Sequence, residues 1–114
     1  MDALIKQQCE ICRPGSESIT ERDQKKYIIE LPKWSVFSDR SVKKLSREFT
    51  FKNFIEALVF TNKIGELAEL NQHHPEIHLQ WGKVVVTWWT HSINGLHKND
   101  FILAAKSDDI FLNE

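Results

Sequence analysis

Apolar and polar residues follow two different periods along the chain, and the places where the period changes mark its elements. Between Lys52 and about Asn71 the spacing is helical: Phe54, Leu58, Thr61, Gly65 and Ala68 form one stripe, widened by Ile55, Val59, Phe60, Ile64 and Leu67. This predicts the longest helix. Before it, Trp34 to Ser38 and Lys44 to Phe51 read as two strands around a polar turn at Asp39-Arg40-Ser41. In the second, Leu45, Arg47, Phe49 and Phe51 alternate with Ser46, Glu48 and Thr50. After the helix, Ile77 to Trp81 and Lys83 to Thr90, rich in Val, Thr and Trp, predict a second hairpin around Gly82. Thr20 followed by Asp23 resembles a capping box and opens a short helix with Ile28, Ile29 and Leu31, ending before Pro32. A last helix starts near Asn99-Asp100 and carries Phe101, Ile102, Leu103, Ala104 and Ala105. The order is α-β-β-α-β-β-α. Two hairpins flanking a long helix, without a crossover of alternating single strands, predict an antiparallel sheet with helices on one face, an α+β domain.

The chain has 114 residues, 41% of them hydrophobic, with 7 Phe and 4 Trp, which suits one compact domain. A domain this small buries only part of its apolar surface, so an oligomer is expected to finish the burial. Residues 1–18 are polar, include Pro14-Gly15-Ser16 and show no sustained period; they read as an arm before a single domain over 19–114. The net charge is -1, from 15 basic and 16 acidic residues, and no basic run provides an electrostatic footprint for nucleic acid. Nowhere does the chain approach the ~20 apolar residues of a membrane span, and the start lacks the apolar stretch of a signal sequence. A cytoplasmic protein is expected. Cys9 and Cys12 form a C-x2-C pair, read as two reduced thiols in preference to half of a zinc site that has no second pair.

All 5 histidines fall between positions 73 and 97. Imidazole, with an unperturbed pKa of ~6.5, gives and takes protons near neutral pH. His73 and His74 leave the end of the long helix, and Pro75 stiffens the corner that carries them. Along the last strand Val85, Thr87, Trp89 and His91 share one face, so His91 stands at the strand's end and can meet that corner across the sheet edge. His78 and His97 lack such a partner and read as surface or structural residues. His74 and His78 are four apart, but Pro75 between them opposes the helix that would make them a ligand pair, so no metal is expected.

Glu69-x3-His73-His74-Pro75-Glu76, then Trp81, Lys83-Val84, Thr90-His91, Gly95-Leu96 and Asp100 resemble the motif of the pterin-4a-carbinolamine dehydratases. The resemblance covers roughly residues 20 to 110. It implies a four-stranded antiparallel sheet with helices packed on one face, assembled as a homodimer or homotetramer through sheet edges and helices. It also implies a cofactor-free hydro-lyase that converts 4a-hydroxytetrahydropterin to quinonoid dihydropterin, in functional partnership with an aromatic amino-acid hydroxylase. The family's catalytic histidines fall on His73, His74 and His91. Glu69, Gln72, Trp89, Thr90, Ser92 and Asp100 take the substrate-binding positions, with backbone around Gln72 to His74 and Trp89 to Ser92 cradling the pterin. Ile77 departs from the family's frequent Trp, and Gln72 from an Asp found in some members. On a continuing helix turn Glu69 would orient His73, while Asp100 fits either of two roles, capping the last helix or serving the site. Members of the family also serve as dimerisation cofactors of a homeodomain transcription factor, which makes an interaction protein the alternative reading.

Overall fold

The computed structural model describes residues 3–9 and 18–113. Its sheet is built from two hairpins. The first joins β1 (Ser35–Asp39) to β2 (Val42–Thr50) through Arg40 and Ser41, both at positive φ (51° and 70°). Two successive left-handed residues match the right-handed twist of a tight hairpin. The second joins β3 (Glu76–Gln80) to β4 (Lys83–Trp88) around Trp81-Gly82. A side chain at Gly82 would meet the Phe51 carbonyl at 3.0 Å, and the Phe51 N–H donates to the Gly82 carbonyl at 2.9 Å. That close approach draws the end of β2 onto the second turn. The antiparallel sheet order is β1-β2-β4-β3, with Leu45 opposite Trp88 and Phe49 opposite Val84. The helices are α1 (Glu21–Ile28), α2 (Phe54–Asn71) and α3 (Lys98–Leu112).

Leu45, Phe49, Val84, Val86 and Trp88 point to one side and are fully buried, as are Phe60, Ile64, Phe101 and Leu103 from the helices. The expected α+β class and element order hold. Phe49 and Phe60 pack with ring centroids 4.6 Å apart, and Phe111 joins them 5.1 Å from Phe49. Arg47 also points inward, which its strand position requires. Its guanidinium lies 4.2 Å from the Phe49 ring and donates to Asp108 Oδ1 at 2.6 Å, and Trp34 Nε1 donates to the same oxygen at 2.8 Å.

Three local expectations are corrected. The buried stripe of α2 is Ala57, Phe60, Ile64 and Ala68, whereas Phe54, Ile55 and Val59 are exposed, Ile55 at 66%. Apolar residues surround the first turns of this helix, so spacing alone does not select the face that meets the sheet. The last strand stops at Trp88, because Thr90 forms an isolated bridge with Gly95 and His91–Ile93 turn into a short 3-10 helix. The third concerns the amino-terminal segment. Leu4 is fully buried, Leu4 N–H donates to Glu30 at 3.1 Å, and Lys106 donates to the Ile5 carbonyl at 3.2 Å. In its described part, the expected arm is therefore docked against α3. Cys9 ends this piece half-buried, and burial pushes its thiol up to about 11; Cys12 and Pro14-Gly15-Ser16 lie outside the described residues. No helix among the described residues is long and apolar enough to cross a membrane.

Truncating a fully buried leucine removes its transfer free energy and leaves a cavity. Leu4→Ala is expected to lose about 2–5 kcal/mol in urea unfolding, whereas a true arm residue would change the midpoint negligibly.

Candidate active site

The end of α2 sets the first half of the site. Asn53 opens the helix, its side chain accepting from Glu56 N at 2.9 Å. Gln72 closes it at φ 50°, in the left-handed region. The Gln72 N–H bonds the Glu69 carbonyl at 3.3 Å and the His73 N–H bonds the Ala68 carbonyl at 3.1 Å. This pair of bonds is the Schellman arrangement, which ends a helix sharply and fixes the direction of the following residues. His73 and His74 are those residues.

The second half follows β4. Thr90 is buried, and His91 begins the 3-10 turn with its ring exposed. His91 Nε2 lies 3.3 Å from the His74 carbonyl, so the two halves meet as the sequence predicts. A carbonyl only accepts, so this contact calls for a proton on Nε2. An open pocket of about 390 Å³ lies between the halves, lined by Gln72, His73, His74, Thr90, His91 and Ser92. Small-ligand sites are commonly of this size.

Behind the pocket sits Asp100, with no exposed surface. His73 Nε2 approaches Oδ1 at 2.7 Å; Thr90 Oγ1–H donates to Oδ2 at 2.7 Å, and the His97 N–H donates to the same oxygen at 2.9 Å. His97 Nδ1 accepts from Asn99 N at 3.0 Å, completing a capping box at the start of α3. Of the two roles expected as alternatives for Asp100, the structure shows the cap of α3, and the same carboxylate also contacts His73. Its place is behind His73 and not in the pocket lining; Glu69 and Trp89 do not line the pocket either. Against the expected pairing, Glu69 bonds His74 Nε2 and leaves His73 to Asp100. The left-handed Gln72 breaks the helix before His73, so the four-residue spacing no longer faces Glu69 toward it.

The histidines read as structural behave so. His97 is the helix cap, and His78 pairs with Glu76 at 2.6 Å on the exposed face of β3. Among the described residues, no three His, Cys, Asp or Glu side chains converge as a metal-ligand group. Spacing gave no reason to single out Lys44, yet its Nζ lies 4.0 Å from the centroid of the Trp89 ring, which stacks on His91 at 4.4 Å. The signal for it is cross-strand register, readable only once β2 is known to pair with β4.

A buried carboxylate that accepts from His73 holds both the ring's tautomer and its direction. Asp100→Asn is expected to lower turnover at this site by about 10²- to 10⁴-fold, the usual contribution of a positioned acid or base. Thr90→Val, which removes one donor and leaves the His73 contact, is expected to lose less. Steady-state kinetics alongside circular dichroism of the folded variants checks both.

The model of the family described as pterin 4 alpha carbinolamine dehydratase matches residues 17–110. A provisionally named pterin-4-alpha-carbinolamine dehydratase of Chlorobium luteolum is 46% identical over 111 residues, 97% of both chains. One of Saccharophagus degradans is 48% identical over 111 residues, 97% of this chain and 98% of its own. Among solved structures, a transcriptional coactivator/pterin dehydratase from Brucella melitensis superposes with a TM-score of 0.74 at 31% identity, covering 82% of this chain and 98% of that one. A pterin dehydratase-like protein described as a RuBisCO assembly factor in the α-carboxysome shares the fold, with a TM-score of 0.58 at 20% identity over 68% of this chain and 87% of that one. With a family match and full-length relatives agreeing, the chain belongs to the pterin-4a-carbinolamine dehydratases, a family of hydro-lyases.

Proposed function

We propose that this chain dehydrates 4a-hydroxytetrahydropterin to quinonoid dihydropterin by histidine acid–base catalysis, in the recycling of a tetrahydropterin. The observation that carries the reading is the convergence of His73, His74 and His91 on one pocket from two separate segments. The reaction breaks the C4a–O bond. The N5 proton must leave, and the departing hydroxyl must gain a proton to go as water, so two proton carriers balance the step.

His73 and His91 suit that exchange. Each commits Nε2 to a fixed acceptor, Asp100 for His73 and the His74 carbonyl for His91, which leaves Nδ1 of each ring for proton transfer. His73, 10% exposed and backed by Asp100, takes the N5 proton; His91, on the open side, protonates the hydroxyl. His74, tied to Glu69, holds the hydroxyl or ring. The backbone around Gln72 to His74 and Trp89 to Ser92, with the Thr90 and Ser92 side chains, cradles the pterin. The chain would act in the cytoplasm beside an aromatic amino-acid hydroxylase that supplies the carbinolamine.

The test is the dehydration rate of enzymatically generated 4a-hydroxytetrahydropterin, followed by absorbance with a metal chelator present. The wild type should accelerate it, and His73→Ala, His74→Ala and His91→Ala should each lose about 10²- to 10⁴-fold while remaining folded. No acceleration over the spontaneous reaction would refute the proposal.

The exposed side of α2, with Phe54, Ile55 and Val59, favours a second property: association with another copy of this chain. Contiguous apolar surface of this kind marks an interaction site. It is also the surface on which a role as a dimerisation cofactor of a transcriptional regulator would act; the Brucella relative is described as a transcriptional coactivator. Light scattering should find an oligomer at micromolar concentration, reduced to a smaller species by Val59→Lys; a monomeric wild type would exclude the association.

A further inference from the structure

We infer that Lys44 and Trp89 form a platform that positions His91, making Lys44 a positioning residue for the dehydration although it lies outside the pocket. The inference rests on the proposed role of His91 as a proton carrier.

His91 needs such help. Its ring is exposed on a short 3-10 turn, and its bond from Nε2 to the His74 carbonyl, 3.3 Å, is at the long end of the range for N–H donors. That single contact leaves the ring free to swing about its own side-chain bonds. The Trp89 ring supplies a broad surface against it, with centroids 4.4 Å apart and planes inclined by 32°. Tilted ring packing at this distance restrains both rings. Trp89 itself lies one residue beyond the end of β4.

Lys44 fixes Trp89 from the neighbouring strand. Leu45 and Trp88 form the last pair of the β2–β4 ladder, and the residues that follow on each chain, Lys44 and Trp89, come together just beyond it. Its Nζ stands 4.0 Å from the Trp89 ring centroid, within cation–π range, and its side chain is only 13% exposed. Asp39, at the end of β1, accepts a hydrogen bond from Nζ at 2.9 Å. That bond first, and the Lys44 charge second, lower the Asp39 carboxyl below its ordinary value. The tight Arg40-Ser41 turn places Asp39 diagonally across from Lys44. A line of contacts therefore runs from the first hairpin through Asp39, Lys44 and Trp89 to His91. None of the first three lines the pocket.

The experiment combines kinetics with imidazole NMR on the full chain. Lys44→Met keeps the length of the side chain and removes the cation. It should lower kcat by about 2- to 30-fold, the range that loss of a cation–π contact allows, with KM unchanged, and Lys44→Arg should restore the rate. In a His91→Ala background Lys44→Met should add nothing. The His91 ring protons, shifted in the wild type by the Trp89 ring current, should move toward free-histidine positions in Lys44→Met while those of His73 stay in place. Equal losses with and without His91, or unmoved His91 resonances, would overturn the inference. If the wild type fails to accelerate dehydration, the catalytic reading falls, and the ring-proton shifts still decide whether the platform exists.

Discussion

Asp100 is a carboxylate with no access to water, and the energetics of that situation organise the molecule. A buried charge is tolerated only where donors replace the hydration it has lost. Here the donors come from three segments: the His73 ring from the end of α2, the Thr90 hydroxyl from the chain leaving β4, and the His97 amide from the turn into α3. The first turn of a helix adds a favourable field for negative charge. One side chain thus joins the pocket wall, the sheet and a helix start. None of the three segments can withdraw without exposing the others to the cost of an unpaired charge.

The rest of the fold supports this junction at the far end of α3. Asp108 accepts from both Arg47 on β2 and Trp34 ahead of β1, and Phe111 packs into the aromatic group of Phe49 and Phe60. Between these points Lys106 holds the Ile5 carbonyl of the docked amino-terminal piece. The helix is pinned near its beginning by Asp100 and in its second half by Asp108, so its first turn has little freedom to slide along the sheet. The direction of His73 inherits that fixity.

How far the sequence discloses this depends on the range of the interaction. Alternation through Leu45 and Phe49, and the turn residues at Asp39 to Ser41 and at Gly82, are local signals, and the hairpins follow from them. The burial of α2 is not local. Ile55 and Val59 are as apolar as Phe60 and Ile64, and only the sheet decides which pair it covers. Ala3-Leu4-Ile5 is an apolar run too short for a periodicity to mark which residue reaches the core. The histidine corner was legible through Pro75 and through the family motif; strand alternation also led to the meeting of His91 with it, although the strand ends at Trp88 and a 3-10 turn carries His91 there. The exchange of carboxylates was not, since helix spacing assigns Glu69 to His73 until Gln72 turns the backbone left-handed. The approach of Lys44 to Trp89 similarly depends on strand partners that are far apart in sequence.

The Schellman ending of α2 carries a consequence for how this chain can change over evolutionary time. Helical residues advance by roughly 100° each, from about 3.6 per turn. Inserting or deleting one residue between Ala68 and Gln72, with the buried stripe held against the sheet upstream, would swing the departing His73-His74 corner through that angle and detach it from Asp100. The length of α2 from its buried stripe to its end therefore behaves as a phase setting, locked to the direction of two imidazoles.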